Sequence, residues 1–264
     1  MLIDTHAHLD FPEFASDLDG VVQRAIDAGV ERIITIGTSL DSSRKSIQLA
    51  ERYAGVYASI GVHPNSAPEE RRDFIPEFRD LAQHSKVVAV GETGLDFYRL
   101  PSDPAWIELE KTAQLAAFEQ HLELAATCKK SVVIHQRESW DDTLKILSDY
   151  TGRVRAVIHC FNGSTIQARQ AFDLGYFISF TGIVTFKNAT EVREAAAAIP
   201  IDQIMVETDA PYLVPIPYRG KRCEPAFVKE TNTIIASLRG LQPEAFAAQT
   251  TRNAEVFFGL RQIS

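Results

Sequence analysis

Eight short runs of β-branched and apolar residues recur along this 264-residue chain, each separated from the next by a segment whose apolar positions repeat at helical spacing. The runs are Leu2 to Thr5, Arg32-Ile-Ile-Thr-Ile36, Val56-Tyr-Ala-Ser-Ile60, Val87-Val-Ala-Val90, Ser131-Val-Val-Ile134, Val154-Arg-Ala-Val-Ile158, Tyr176-Phe-Ile-Ser-Phe180 and Gln203-Ile-Met-Val206. A first amphipathic segment carries Leu18, Val21, Val22, Ala25 and Ile26 on one face. Others lie around residues 42–54, 69–84, 106–128, 139–149, 165–174 and 189–198, and one or two more follow the last run. Most of the runs are too apolar to face water on either side, which implies parallel strands covered by helices. Eight such units close most naturally into a single (β/α)8 TIM barrel, an α/β fold, and no Gly-x-Gly-x-x-Gly follows the first run to argue for an open dinucleotide-binding sheet.

Residues 1–264 read as one barrel domain, with no repeat, low-complexity run or linker to divide them. The longest stretch between strands runs from Gly94 to about Cys128, and its first part, Gly94 to Pro104, reads as a surface loop. No stretch of about eighteen apolar residues suggests a membrane span, and the start MLIDTHAHLD has acidic and polar residues where a secretory signal needs a basic then an apolar run. The expectation is a cytoplasmic protein with no membrane association and no obligate protein partner. Cys128, Cys160 and Cys223 are odd in number and lack CxxC spacing, so neither a disulfide framework nor a thiolate zinc site is indicated. A net charge of -8 argues against broad electrostatic binding to a nucleic-acid backbone, but a cluster of carboxylates that loads divalent cations becomes locally positive. Tyr218-Arg219-Gly220-Lys221-Arg222 is a local basic segment where a phosphate can be met.

The polar residues are distributed with a bias. Of seven histidines, His6, His8, His63, His135 and His159 stand at or just past the C-terminal end of an expected strand, while His84 and His121 fall in helical segments. Glu92 closes one strand, and Glu207 and Asp209 close the last. In a barrel of this kind the C-terminal strand ends build the active site. One Glu or Asp after a strand is ordinarily a helix cap or a surface ion-pair partner, but three of them with five histidines on one face point to a metal centre. Nitrogen and oxygen donors without thiolate suit Zn, Mn or Fe, with Mg possible where carboxylates dominate. The assignment places His6, His8, Glu92 and Asp209 around one ion and Glu92, His135 and His159 around a second, with Glu92 bridging through its two oxygens. Asp209 is also placed to accept the proton of an attacking water.

The chain resembles the TatD family of metal-dependent hydrolases, within the amidohydrolase superfamily. The blocks that carry the likeness are Asp4-Thr-His-Ala-His-Leu-Asp10, Gly61-Val-His-Pro64, Gly91-Glu-Thr-Gly-Leu-Asp-Phe-Tyr98, His135-Gln-Arg137, His159-Cys-Phe-Asn-Gly163, Phe180-Thr-Gly-Ile-Val-Thr-Phe186 and Glu207-Thr-Asp-Ala-Pro-Tyr-Leu213. The resemblance implies His6, His8, Glu92, His135, His159 and Asp209 as ligands of two divalent ions, the same set reached from the strand ends. It also implies hydrolysis of phosphodiester bonds in DNA, usually from the 3′ end. The other reading keeps the site and changes the substrate to an ester or amide, such as a D-aminoacyl-tRNA or a small molecule, and a third is a barrel that binds metal and partners without turnover.

Several further residues take candidate roles. His63 contacts the scissile phosphate, protonates a leaving oxygen, or instead fixes a metal ligand. Arg137 either pairs with phosphate or forms a salt bridge to Glu138 or Asp141. Glu207 orients a ligand or a water, and Tyr98 and Phe97 either stack on a base or pack their own loop. Cys223 stands where family members often carry Asn, which puts a substrate hydrogen bond from that loop in doubt.

Overall fold

The computed structural model describes residues 1–69 and 74–260. Eight strands alternate with helices in the order β1 (Leu2–Ala7), α1 (Leu18–Asp27), β2 (Val30–Ile36), α2 (Leu40–Arg52), β3 (Val56–Ile60), α3 (Ile75–Leu81), β4 (Val87–Asp96), α4 (Pro104–Cys128), β5 (Ser131–Arg137), α5 (Trp140–Asp149), β6 (Ala156–Ile158), α6 (Thr165–Asp173), β7 (Phe177–Phe180), α7 (Thr190–Ala198), β8 (Ile204–Val206), α8 (Val228–Leu238) and α9 (Pro243–Phe258). Every neighbouring pair of strands is parallel, in sequence order. A parallel bridge between Ala7 and Ala210 joins the last strand's end to the first, so the sheet closes into the expected (β/α)8 barrel. Among the described residues no helix is long and apolar enough to cross a membrane.

The buried apolar residues form two layers. Ile3, Ile34, Val88, Val133, Val157 and Met205, from six different strands, pack together inside the barrel, while a larger set lies between strands and helices. Helix α9 plugs the N-terminal end. Its Phe257 and Phe258 join the inner layer, and Phe257 lies 5.1 Å from the Phe177 ring. Polar contacts fix it there: Arg32 donates to Glu255 at 2.7 Å, Arg155 to the Val256 carbonyl at 2.8 Å, and Asn253 to the carbonyls of Ile201 and Ile204 at 2.7 and 2.8 Å. With that end sealed, the C-terminal mouth is where a ligand can enter.

Two local expectations are corrected. Gly94 to Asp96 belong to β4, all ten residues of which are buried, so the loop begins only at Phe97. The glycines make this possible. Gly91 and Gly94 have φ of 126° and 137°, and a Cβ on either would overlap the carbonyl oxygen of Val133 or His135 on the neighbouring strand. The β4–β5 register skips between Val90 and Thr93, which is where Glu92 turns toward the mouth. The second correction concerns His84, which stands in the turn after α3 rather than within a helix. Residues 70–73 of the expected segment 69–84 lie outside the described residues.

His121 on α4 is a core histidine, with no exposure. Its Nδ1 donates to the Ala117 carbonyl at 2.6 Å and its Nε2 accepts from the Val62 amide at 3.0 Å, so the ring is neutral and ties α4 to the segment after β3. Burial pushes it down to about 4 from the ordinary 6.5. Because the neutral form is the one the fold stabilises, its contribution is complete above pH 6.5 and is lost as the pH falls from there toward 4. The stability difference between the wild type and His121→Gln, measured by urea titration, should therefore shrink by on the order of 3 kcal/mol across that window; a difference independent of pH would contradict this account. For the plug, Phe257→Ala should cost about 3–5 kcal/mol, and a loss under about 1 kcal/mol in the same titration would show that α9 does not hold the inner layer.

Candidate metal centre

The strand ends deliver their polar side chains to one point at the mouth. His6 and His8 come from the end of β1, Glu92 from β4, His135 from β5, His159 from the residue after β6, and Asp209 from the third residue after β8. The β1–β8 junction that positions the first and last of these is itself built from polar contacts. Buried Asp4 accepts from the Thr208 hydroxyl at 2.6 Å and amide at 2.9 Å, while the Asp209 amide donates to the His6 carbonyl at 2.9 Å.

Two donor sets meet at Glu92, which is 2% exposed. On one side, His6 Nε2 and His8 Nε2 lie 3.3 Å apart, 3.5 and 3.8 Å from Glu92 Oε2, and 3.6 and 3.4 Å from Asp209 Oδ1. Four donors each about 2.1 Å from a central cation at tetrahedral angles would stand about 3.4 Å apart. The spacing therefore fits a bound divalent ion. On the other side, Glu92 Oε1 lies 2.8 Å from His135 Nδ1, 2.9 Å from His159 Nε2 and 3.6 Å from His63 Nε2. Imidazole and carboxylate in these proportions are the donors of Zn, Mn or Fe.

The two sides are supported differently. His135 Nε2 points at Asp96 Oδ2, 3.3 Å away, and His159 Nδ1 at Glu207 Oε1, also 3.3 Å away. Each imidazole of the second set thus has a buried carboxylate behind it, which fixes the tautomer and raises the basicity of the nitrogen facing Glu92. Among the described residues, His6 Nδ1 and His8 Nδ1 are buried without a hydrogen-bond partner. Electrostatics follow this layout. Burial alone would raise the Glu92 carboxyl, but the imidazoles of His159 and His63 and hydrogen bonds from His135 and His159 hold it well below its ordinary value. Burial opposes charge on His159, and Glu92 and Glu207 overcome it to hold this ring well above 6.5.

The remaining candidates sort by position. Glu207 is 1% exposed and accepts the Cys160 amide at 2.6 Å, so it stands behind His159 and orients that ring rather than meeting a substrate. His63 Nδ1 accepts from the Asn65 amide at 3.1 Å, leaving Nε2 to carry the proton into the cleft. Burial pushes His63 down to about 4, so it enters the cleft as a neutral hydrogen-bond donor. A cleft of about 590 Å³ above Glu92 is lined by His63, Arg99, His135, Arg137, Asp209 and Tyr212 among others. Arg137 forms no ion pair with Glu138 or Asp141; its guanidinium lies 3.6 Å from the centre of the Tyr98 ring, while Phe97 packs inward against the core and under Lys111. Arg219 is not brought to the cleft. It donates to the Val214 carbonyl at 3.2 Å and lies over Phe186, because its loop folds back across the turn after β7. Cys223 is fully buried and its thiol is pushed up by burial, so the substitution for Asn lies beneath the loop and not on a substrate-facing surface.

Fold and site put the chain among the metal-dependent hydrolases of barrel architecture. Residues 3–259 match the family model for TatD related DNase, and the chain belongs to that family. It is 37% identical over 259 residues to the metal-dependent hydrolase YabD of Bacillus subtilis, covering 98% of this chain and 99% of that protein. It is 35% identical over 265 residues to the 3'-5' ssDNA/RNA exonuclease TatD of Klebsiella pneumoniae, covering 98% of each. The crystal structure of YJJV, a TatD homolog from Escherichia coli, superposes with a TM-score of 0.88 at 30% identity, again over 98% of both chains.

Asp96 is the residue that strand-end reasoning passed over. It lies within the segment Gly94 to Pro104 that reads in sequence as a surface loop, and extending β4 past the glycines would have put it on the same strand as Glu92. Asp96→Asn, which keeps the shape and removes the charge behind His135, should weaken divalent-cation binding by about 10- to 100-fold. Calorimetric titration with Mn or Zn measures this, and unchanged affinity would show that the contact is only structural.

Proposed function

We propose that the chain is a 3′–5′ exodeoxyribonuclease that cleaves phosphodiester bonds of single-stranded DNA with two divalent ions, Mg, Mn or Zn, at the barrel mouth. The observation that carries this reading is the division of Glu92, whose Oε2 faces His6 and His8 while its Oε1 faces His135 and His159. One buried carboxylate serving two donor sets is suited to a pair of cations, which when bound would neutralise phosphate oxygens and acidify a water. The name of the Klebsiella relative, an exonuclease on ssDNA and RNA, supports the choice of substrate.

The chain's own side chains have separable tasks. Asp209 is the ligand-set carboxylate with the most access, its side chain 15% exposed, and it accepts the proton released as water attacks phosphorus. His63 presents Nε2–H from beside Glu92 and donates to a phosphate or leaving oxygen as that oxygen gains charge. Arg137, with no ion-pair partner among the described residues and its guanidinium over the Tyr98 ring, supplies a positive contact for the phosphate at the cleft edge.

The test uses metal-loaded protein with 3′-labelled single-stranded DNA, a D-aminoacyl-tRNA and an ester panel, with chelated protein and Glu92→Ala as controls. DNA should be shortened from its 3′ end, and Asp209→Ala should slow that reaction by about 10²- to 10⁴-fold. Intact DNA beside a cleaved acyl substrate would overturn the nuclease reading.

A further inference from the structure

One wall of the cleft is aromatic. Phe11 stacks on the His8 ring with centroids 4.6 Å apart and planes 21° from parallel, and Tyr212 meets Phe11 edge-on at 6.1 Å. Both rings line the cleft. Tyr212 is 49% exposed, and among the described residues its hydroxyl has no hydrogen-bond partner. Its place is nonetheless fixed, because its amide donates to the Asp209 carbonyl at 2.9 Å, closing a turn directly on a candidate ligand. The next residues of the loop turn back into the protein, where Val214 and Cys223 are buried and the Cys223 amide donates to the Pro211 carbonyl at 3.1 Å. A large ring is therefore carried into solvent from a fixed backbone position, two rings away from the candidate metal centre.

The surrounding charge narrows what can lie against that ring. In a protein of net charge -8, the same cleft presents Arg99 and Arg137, neither of which forms an ion pair among the described residues. An anionic ligand with a flat, apolar part meets both features: its phosphate lies over the candidate ligands and its ring is within reach of Tyr212. We infer that Phe11 and Tyr212 form a nucleobase subsite that receives a base flanking the scissile phosphate. This inference rests on the nuclease reading and adds to it the element that a metal centre alone lacks, a contact that distinguishes a nucleotide from any other phosphodiester. Stacking is tolerant of base identity because every base has a π-face, so the subsite selects for a splayed single strand rather than for a sequence. Phe11 also braces the candidate ligand His8, so the roles of the two rings separate only at Tyr212.

The experiment compares metal-loaded wild type with Tyr212→Ala and Tyr212→Phe on 5′-labelled single-stranded oligonucleotides. Each oligonucleotide is fully based or carries one abasic residue, at the 3′-terminal or the penultimate position. Wild type should cleave one of the two abasic substrates about tenfold less efficiently in kcat/KM than the based one, the size expected of a single stacked base. Tyr212→Ala should bring that ratio close to one by raising KM on the based oligonucleotide, and Tyr212→Phe, which keeps the ring, should restore the discrimination. A ratio that survives Tyr212→Ala, or a wild type indifferent to both abasic positions, overturns the subsite while leaving the nuclease reading intact. A wild type that cleaves no oligonucleotide at all overturns the nuclease reading and the subsite with it.

Discussion

The Glu92 carboxylate is 2% exposed, and a charge so far from water costs several kcal/mol unless it is paired. Here it is surrounded by the rings of His6, His8, His63, His135 and His159, none more than 3.8 Å from one of its oxygens. Each ring in turn depends on it, since imidazoles crowded in a dry pocket repel one another once charged. Cations at the same point satisfy both sides together, because they take the lone pairs that the rings present and the charge that Glu92 carries. The rest of the mouth serves this arrangement. Gly91 and Gly94 let β4 pass close enough to β5 to place Glu92, and Asp4 holds the β1–β8 junction that brings His6 and His8 to Asp209.

Much of this was readable from the sequence, for an identifiable reason. The eight β-branched runs all became strands, six of them within two residues at each end, because a parallel strand buried on both faces leaves an uninterrupted apolar signal. The candidate ligands were readable as a set because each sits within three residues after such a signal, where polar residues interrupt it. The same logic fails where the signal is interrupted early. Gly91 and Gly94 look like loop residues in sequence, and only the tertiary approach of β5 shows that they are the requirement for continuing the strand, so β4 extends to Asp96 and the carboxylate behind His135 was missed.

Side-chain direction was the other quantity hidden from sequence. Arg137, Arg219 and Cys223 all lie near motifs, and proximity in sequence offered each of them to the substrate. The structure separates them. Arg137 stays at the cleft on the Tyr98 ring, whereas Arg219 turns to its own loop's carbonyl and Cys223 is enclosed. A basic segment on a loop with three prolines, Pro211, Pro215 and Pro217, follows the backbone path those prolines impose, which periodicity does not describe. Glu207 is the converse case: its place at a strand end, with a ligand or a water to orient, was legible, but not that the ring it stands behind is that of His159.

The different support of the two donor sets has a chemical consequence. Carboxylates behind His135 and His159 make the nitrogens facing Glu92 stronger donors, while the Nδ1 atoms of His6 and His8, unpartnered among the described residues, leave those rings weaker donors. The first set compensates by position, for it includes Asp209, the carboxylate with most access to the cleft, and is braced by Phe11 against His8. A centre of this kind would have one side built for retention and one side built for exchange with incoming substrate oxygens. Asp209 and the aromatic wall of Phe11 and Tyr212 both lie on the second of these, where the cleft is open.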